Sequence, residues 1–233
     1  MASSSRASAP ASGSPSPEGP AFGEGYLTVR DGAEPQGVYE ERKSRFIAQL
    51  AHVSGEREAE AFVDEVKARH RDARHNVPVW ALSDGRERAS DAGEPRGTAG
   101  MPVLEVLRGA GLKDVCCVVT RYFGGTLLGA GNLSRAYVEA ANRAVAAAQA
   151  DGSIVRMSLV TKVVCEIPYA LYDRVVRLAA DAGGKVRDSV FAEDVQLTLD
   201  FLAGDEEAFM AAVRELAAGE ELCRAAEPAF RAF

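Results

Sequence analysis

The chain has 233 residues, of which 47% are hydrophobic and 26% charged, values typical of one or two folded domains and unlike those of a fully disordered protein. The net charge of −7 argues against binding nucleic acid through bulk positive charge, which usually requires a basic chain. No apolar stretch approaches the roughly 18 residues that a membrane span needs, and the N-terminus lacks the apolar core of a signal peptide. We therefore predict a cytoplasmic protein with no membrane partner.

Residues 1–25 hold seven Ser, four Pro and four Gly. A segment of this composition buries too little apolar surface to offset its ordering entropy. We predict a disordered, low-complexity tail over 1–25.

Hydrophobic periodicity predicts a first domain over residues 26–150. Its strands and helices alternate after an initial run of strands, and a buried apolar strand, VCCVVTRY, precedes a long alanine-rich helix. The predicted elements are strands 26–29, 38–41, 44–53, 76–82 and 115–122, and helices 56–70, 98–108 and about 131–150.

Residues 151–233 form a second predicted domain, which carries a charge of −6 from nine basic and fifteen acidic residues. Its pattern reads β-α-β-β-α-β, the order of a ferredoxin-like split motif. The predicted elements are strands 154–167, 185–191, 194–202 and 220–226, and helices 169–182 and 205–218. The fold class is therefore α+β.

Four cysteines lie at positions 116, 117, 165 and 223. Adjacent residues of a strand face opposite ways, so Cys116 and Cys117 cannot serve one site. With no C-x-x-C motif or Cys/His cluster, we predict buried or idle thiols and neither a metal nor a cofactor.

The loop Ser90–Gly100, SDAGEPRGTAG, leads into a predicted helix. Free amides at the helix start, with Arg96 beside them, could hold a phosphate, and Thr98 could cap the helix. The alternative is an elaborate turn in which Asp91 and Glu94 accept hydrogen bonds from loop amides.

A second glycine-rich loop, Arg121–Arg135, joins the apolar strand to the alanine-rich helix. It contains only a partial G-x-G-x-x-G, and Glu166 lies 37 residues beyond Gly129 where a dinucleotide fingerprint requires about 20. A Rossmann or P-loop site is excluded. The loop instead indicates a surface that a phosphate backbone could approach, although the glycines could equally serve packing.

The basic run Lys67–His75, with Arg42, Lys43 and Arg45 upstream, could contact phosphates or form a solvated helix end. His70 and His75 could exchange protons near neutral pH. No recognisable catalytic set accompanies them.

Together these motifs resemble the YigZ/IMPACT family over residues 38–147. The resemblance is carried by KSRFI at 43–47, DARH at 72–75, Ser90-Asp91 with GEPRGTAG at 93–100, and RYFGG at 121–125 with Leu128-Gly129. Two positions depart from the family pattern: Ala92 replaces a second Asp, which weakens any two-carboxylate metal site, and Asn132 replaces a frequent Gly.

The resemblance implies a two-layer α/β N-terminal domain similar to a domain of elongation factor G. It also implies that residues 155–233 are similar to the smaller, ferredoxin-like C-terminal domain of bacterial members. Eukaryotic members regulate translation initiation through a kinase activator, using an additional N-terminal domain; here we expect only the low-complexity tail at that place, so we do not carry over that interaction. For bacterial members the family implies no settled activity, and RNA or ribosome binding is inferred from fold.

Three hypotheses follow. The first is a non-enzymatic, RNA- or ribosome-associated protein linked to translation, with the acidic second domain free to contact a protein. The second is an enzyme acting on a nucleotide or phosphorylated small molecule at loops 90–100 and 121–131. The third is a module in which both loops pack the two domains together. The candidate phosphate- or nucleic-acid-binding residues are Lys43, Arg45, Arg74, His75, Asp91, Glu94, Arg96, Gly97, Thr98, Arg121, Tyr122, Gly124, Gly125, Gly129, Gly131 and Arg135.

Overall fold

The computed structural model describes residues 25–233, and the predicted tail lies outside the described residues apart from Gly25. The elements are β1 Tyr26–Val29, β2 Gln36–Glu41, β3 Ser44–His52, α1 Glu56–Arg69, β4 His75–Ala81, β5 Glu87–Ala89, α2 Gly100–Gly109, β6 Val115–Tyr122, α3 Ala130–Ala150, β7 Ile154–Ile167, α4 Tyr172–Asp181, β8 Lys185–Phe191, β9 Val195–Leu202, α5 Asp205–Leu216, β10 Cys223–Ala225 and β11 Ala229–Ala232. In this range no helix is long and apolar enough to span a membrane.

The first sheet has the strand order β2-β3-β6-β4-β5, with every neighbouring pair antiparallel. Its central strand β6 is buried on both faces, as its unbroken apolar run requires. Helices α2 and α3 cover one face, around Leu50 and Tyr137. Helix α1 covers the other, where Phe62 packs near Trp80. The first domain therefore has three layers, with helices on both faces of the sheet, where two layers were expected.

Helix α3 lies unusually close to β2, and a single glycine permits it. A Cβ on Gly37 would stand 2.2 Å from the backbone nitrogen of Ala144 and 2.5 Å from the carbonyl oxygen of Ala140. The alanines of α3 recur at four-residue intervals and present a small, buried surface to the sheet. This contact fixes the position of α3, whose first turn borders the candidate site.

The second sheet is built on the 14-residue strand β7. The order β10-β7-β9-β8 is antiparallel throughout, and helices α4 and α5 cover one face around Phe201 and Phe209. These elements follow the predicted β-α-β-β-α-β order. The first half of β7 also pairs with β1 and β11, so β1, the first strand of the described residues, joins the second sheet. The predicted division at residue 150 stays a prediction.

Two of the four cysteines differ from the sequence prediction. Cys165 of β7 and Cys223 of β10 are cross-strand neighbours and form a disulfide, so the expectation of idle thiols is wrong for this pair. Cys116 and Cys117 are buried free thiols in the cores on opposite faces of the first sheet, as strand alternation predicts. Burial raises the pKa of both thiols.

Candidate functional site

The two glycine-rich loops meet at one end of the first sheet, where β3 and β4 begin and β6 ends. Between them lies a cavity of about 380 Å³, within the ~300–1,000 Å³ typical of small-molecule sites. It is lined by Arg74, His75, Glu94, Pro95, Arg121, Phe123, Leu127, Leu128, Gly129, Ala130 and Leu133. The side-by-side placement of loops 90–100 and 121–131 is thus present in the fold.

An ion pair forms one wall of the cavity. Arg121 Nη1 donates to both carboxylate oxygens of Glu94, at 2.7 and 2.9 Å, and the Tyr137 hydroxyl donates to Glu94 Oε1 at 2.7 Å. The Arg121 and Glu94 side chains are only 8% and 3% exposed. Burial, together with the bond to Glu94, raises the pKa of Tyr137. The positive charge of Arg121 is therefore already compensated within the fold.

Aromatic rings surround the Arg121 guanidinium. Its central carbon lies 5.5 Å from the ring centroid of Phe46 and 5.6 Å from that of Phe123, distances suited to cation–π attraction. Phe46 also meets the ring of Tyr137 edge-on, at 5.0 Å between centroids. Arg121 Nε is buried and has no hydrogen-bond partner among residues 25–233, so the guanidinium is not fully satisfied.

Asp91 occupies the start of α2, where a bound phosphate was one possibility. Its carboxylate accepts hydrogen bonds from the backbone amides of Gly97, Ala99 and Gly100, at 2.7–3.0 Å. Burial acts to raise the pKa of Asp91, and these amide bonds outweigh it and lower the pKa. The Thr98 hydroxyl donates instead to the Pro95 carbonyl, so the prediction that Thr98 caps α2 is wrong. Asp91 caps this helix from within the loop.

His75 lies at the mouth of the cavity, opposite Arg121 in the β4–β6 register. Its Nδ1 is 3.0 Å from the Ala92 carbonyl oxygen, which leaves Nε2 as the ring nitrogen without a partner in the described residues. Ala92, where the family pattern has Asp, adopts a left-handed φ of 47°. The backbone carbonyl of Ala92, the residue that differs from the family pattern, therefore orients the His75 ring.

Gly124 holds the second loop against the β2–β3 turn. Its amide donates to Ser44 Oγ at 3.0 Å, and a Cβ there would lie 2.1 Å from the carbonyl carbon of Lys43. Arg42 and Lys43 both have positive φ, 47° and 66°, the geometry of a two-residue hairpin turn usually formed by glycine or asparagine. Gly124 is therefore a packing residue, and Lys43 projects from the turn beside it.

Tyr122 and Arg45 do not share the cavity. They are direct partners in the β3–β6 register and lie on the α1 face, because strand alternation places Tyr122 opposite to Arg121. The Tyr122 hydroxyl lies 2.9 Å from His70 Nδ1 and 3.3 Å from Asp72 Oδ1. Burial, aided by the charge of Arg69 nearby, lowers the pKa of His70.

The remaining predicted cations are exposed. Arg74, Arg96 and Arg135 have no carboxylate within 4 Å in the described part of the chain, and Lys43 is likewise unpaired there. Arg74 lines the cavity, Arg96 follows Pro95 in the first loop, and Arg135 donates only to the Gly131 carbonyl one turn earlier. These side chains are free to meet an anion.

Three of the four remaining loop glycines adopt a backbone conformation that favours glycine. Gly97, Gly125 and Gly129 all have positive φ, with open space where a Cβ would lie. Gly131 is exposed in the first turn of α3.

The apolar half of the cavity was not predicted from the sequence. Leu128 and Leu133 are buried, while Phe123 is 54% and Leu127 82% exposed at the mouth. The available signal was the presence of several large apolar side chains within one glycine-rich loop, because a contiguous exposed apolar patch can mark a binding surface.

The sequence profile of the Impact N-terminal domain matches residues 42–145, which include both loops and every wall of the cavity. A second profile, a domain of unknown function called DUF1949, matches residues 165–220. The protein YigZ of Escherichia coli, described as an IMPACT family member, is 36% identical over 192 residues, covering 80% of this chain and 92% of YigZ. The chain belongs to the IMPACT family.

Other IMPACT family members show the same relation. A Haemophilus influenzae member is 34% identical over 78% of this chain and 89% of its own length. Bacillus subtilis YvyE is 51% identical over 114 residues, about half of each chain, at 48% and 52%. A solved structure, described as that of an hypothetical protein, superposes with a TM-score of 0.56 at 32% identity, covering 88% of this chain and 97% of that one. The predicted family and mixed α/β two-domain architecture are confirmed.

Proposed function

We propose that this IMPACT family member is a cytoplasmic, non-enzymatic protein that binds RNA, including ribosomal RNA, and acts near translation. The observation that carries the proposal is a set of exposed cations without a carboxylate partner in the described residues: Arg74 lines the cavity, Arg96 lies in the first loop and Arg135 ends the second. Arg74, Arg96 and Arg135 offer positive charge to phosphates, while Phe123 and Leu127 offer apolar surface to unstacked bases. RNA-binding proteins combine these two features when they bind single strands.

The local charge favours this surface although the chain as a whole is acidic. Residues 26–150 carry seventeen charges of each sign, whereas residues 151–233 carry the excess of six negative charges. The carboxylates of the first loop are already engaged: Glu94, which lines the cavity, pairs with Arg121, and Asp91 accepts three amide hydrogen bonds. An approaching phosphate therefore meets cations without uncompensated carboxylates at the cavity. The acidic second domain keeps its predicted role as a surface for a protein partner.

Fluorescence anisotropy with a labelled single-stranded RNA 20-mer tests this function. Replacing the three unpaired arginines (Arg74, Arg96, Arg135) together with Ala should raise Kd at low salt at least tenfold. It should also reduce the slope of log K against log salt by about 2, since each phosphate contact contributes ~0.7 on a single strand. The matched control replaces three exposed arginines outside both loops: Arg57 on α1, and Arg174 and Arg177 on α4. Absence of RNA binding at low salt, or equal losses in both triple variants, would refute the proposal.

The enzyme hypothesis has one supporting observation, the free Nε2 of His75 at the cavity mouth. An acid–base mechanism with Asp91 or Glu94 has less support, because hydrogen bonds and an ion pair already engage both carboxylates. Turnover of nucleotides that His75→Ala abolishes would favour the enzyme over RNA binding. The hypothesis of a packing module finds no support at Tyr122, whose side-chain partners His70 and Asp72 both belong to the first domain.

A further inference from the structure

The cavity between the two loops has features that a purely electrostatic phosphate site would not need. Its volume of about 380 Å³ is close to the lower end of small-molecule sites, and its apolar lining continues outward to Phe123 and Leu127. An A-form duplex keeps its bases stacked inside and presents phosphates and ribose hydroxyls at its surface. A duplex would therefore leave this cavity empty, whereas a single strand can place a base in it.

Phe123 is positioned to stack on such a base. Its ring lies 5.6 Å from the Arg121 guanidinium carbon, while more than half of the side chain remains exposed. The ring therefore already has a cationic neighbour in the fold and keeps accessible surface on which a planar group can lie. Base–aromatic stacking is tolerant of sequence and is strengthened by a nearby arginine.

Arg121 supplies hydrogen-bonding capacity that the fold does not use. Only Nη1 bonds to Glu94; Nε and Nη2 make no hydrogen bond to any residue in the range 25–233, and Nε is buried. Buried donors in folded proteins are nearly always satisfied by protein, water or ligand. Because Nε has no accessible surface, Nη2 is the group of Arg121 that a ligand with a carbonyl oxygen or another acceptor can reach from the cavity.

We propose that the cavity admits one unstacked base of single-stranded RNA, stacked on Phe123 and hydrogen-bonded to Arg121, with guanine preferred over adenine. Guanine presents the acceptor O6, to which arginine commonly donates. Adenine places an amino group where guanine has O6, so one donor would face another. The identity of the polymer as RNA rests on the proposed function, but the base site can be tested separately with free nucleotides.

The first experiment compares Phe123→Ala with Phe191→Ala by anisotropy, using a single-stranded RNA and the duplex of the same sequence. The two phenylalanines are 54% and 55% exposed, and Phe191 lies on β8 of the second domain, so neither substitution opens a core. Phe123→Ala should weaken single-strand binding by about 5- to 150-fold, the range of one stacked base, and leave duplex binding unchanged. Phe191→Ala should change neither. Leu127→Asp provides a second cavity variant at a side chain that is 82% exposed.

The second experiment measures binding of 5′-GMP and 5′-AMP to the wild-type protein by calorimetry. The two nucleotides share ribose and phosphate, so a difference between them reports on the base alone. Tighter binding of GMP, lost in Phe123→Ala, supports the inference even where no RNA binds, and that combination would refute only the proposed function. RNA binding that is equal for single strand and duplex and unaffected by Phe123→Ala would refute the base site and leave the proposed function standing. Equal or undetectable binding of both nucleotides would overturn the guanine preference.

Discussion

The buried ion pair in the cavity wall gives the sharpest test of the structure. Substituting Glu94→Gln leaves Arg121 positively charged and only 8% exposed, while the amide still offers one oxygen to the Tyr137 hydroxyl. Removing one partner of a buried pair costs about 3–5 kcal/mol, because the remaining charge is uncompensated. The matched control is Glu139→Gln on α3, which breaks an exposed pair with Arg143 and should cost less than about 0.5 kcal/mol.

Urea unfolding followed by tryptophan fluorescence measures this loss in the correct domain. Trp80 is the only tryptophan and is 5% exposed within the first sheet, so its signal reports the first domain. With an m-value of about 1–3 kcal/mol/M, Glu94→Gln should lower the midpoint by 1 M or more. Adding Arg121→Met should recover part of the loss, since it removes the orphaned charge. A midpoint for Glu94→Gln equal to that of Glu139→Gln would refute the account of the cavity wall.

Three further outcomes are expected in the same unfolding assay. Gly124→Ala should lower the free energy of unfolding by at least about 2 kcal/mol, since its Cβ would meet the backbone of the β2–β3 turn at 2.1 Å. The control Gly109→Ala, at a helical position with open space around it, should be neutral or stabilising. Equal effects of the two substitutions would contradict the packing role of Gly124. Asp91→Asn should be destabilising above pH ~3.9, the ordinary pKa of Asp. The difference in stability between wild type and variant should disappear as pH falls through the lower folded-state pKa of Asp91. A stability difference that does not depend on pH would contradict the carboxylate cap. The folded-state pKa of His70 is lowered, so protonation favours the unfolded state and wild-type stability should decrease as pH falls below ~6.5. His70→Gln should flatten that dependence, and an unchanged profile would contradict the role of His70.

Most elements of the fold could be predicted because burial dictates local pattern. The strand at 115–122 is a continuous apolar run and is buried on both faces, and the alternating strand at 44–52 begins and ends within a residue of its prediction. Strand β5 was missed because its three residues, Glu87–Ala89, are largely exposed and charged. Its pairing with β4 rather than its own hydrophobic pattern makes it a strand.

Long-range pairings limited the prediction of cysteine chemistry. Cys165 and Cys223 are 58 residues apart, and they meet only because β10 returns to pair with β7. Nothing in the local sequence of either residue indicates that register. The opposite orientation of Cys116 and Cys117 was predictable, since it depends only on alternation within one strand.

The same distinction explains the candidate site. That Arg121 and Tyr122 face opposite sides of the sheet follows from strand alternation, and applying this rule to the motif would have separated Tyr122 from the cavity. The contact between Glu94 and Arg121 could not be deduced, because the two residues are 27 positions apart with helix α2 between them. The hydrogen bonds that Asp91 accepts from amides six to nine residues later depend on the left-handed backbone at Ala92, Gly93 and Gly97.

The residues that carry the family resemblance are therefore mainly the frame of the site. Asp91 fixes the first loop to the start of α2, Gly124 seats the second loop on the β2–β3 turn, and Glu94 joins the loops through Arg121. Asp91 and Glu94 use their hydrogen bonds inside the protein, and Gly124 allows close packing because it has no side chain, so none of the three is available to a ligand without loss of stability. The proposed recognition therefore depends on groups that these residues position but do not use: the exposed cations, the ring of Phe123 and Nη2 of Arg121. Substitutions in the frame should consequently lower stability and binding together, whereas Phe123→Ala should lower binding alone.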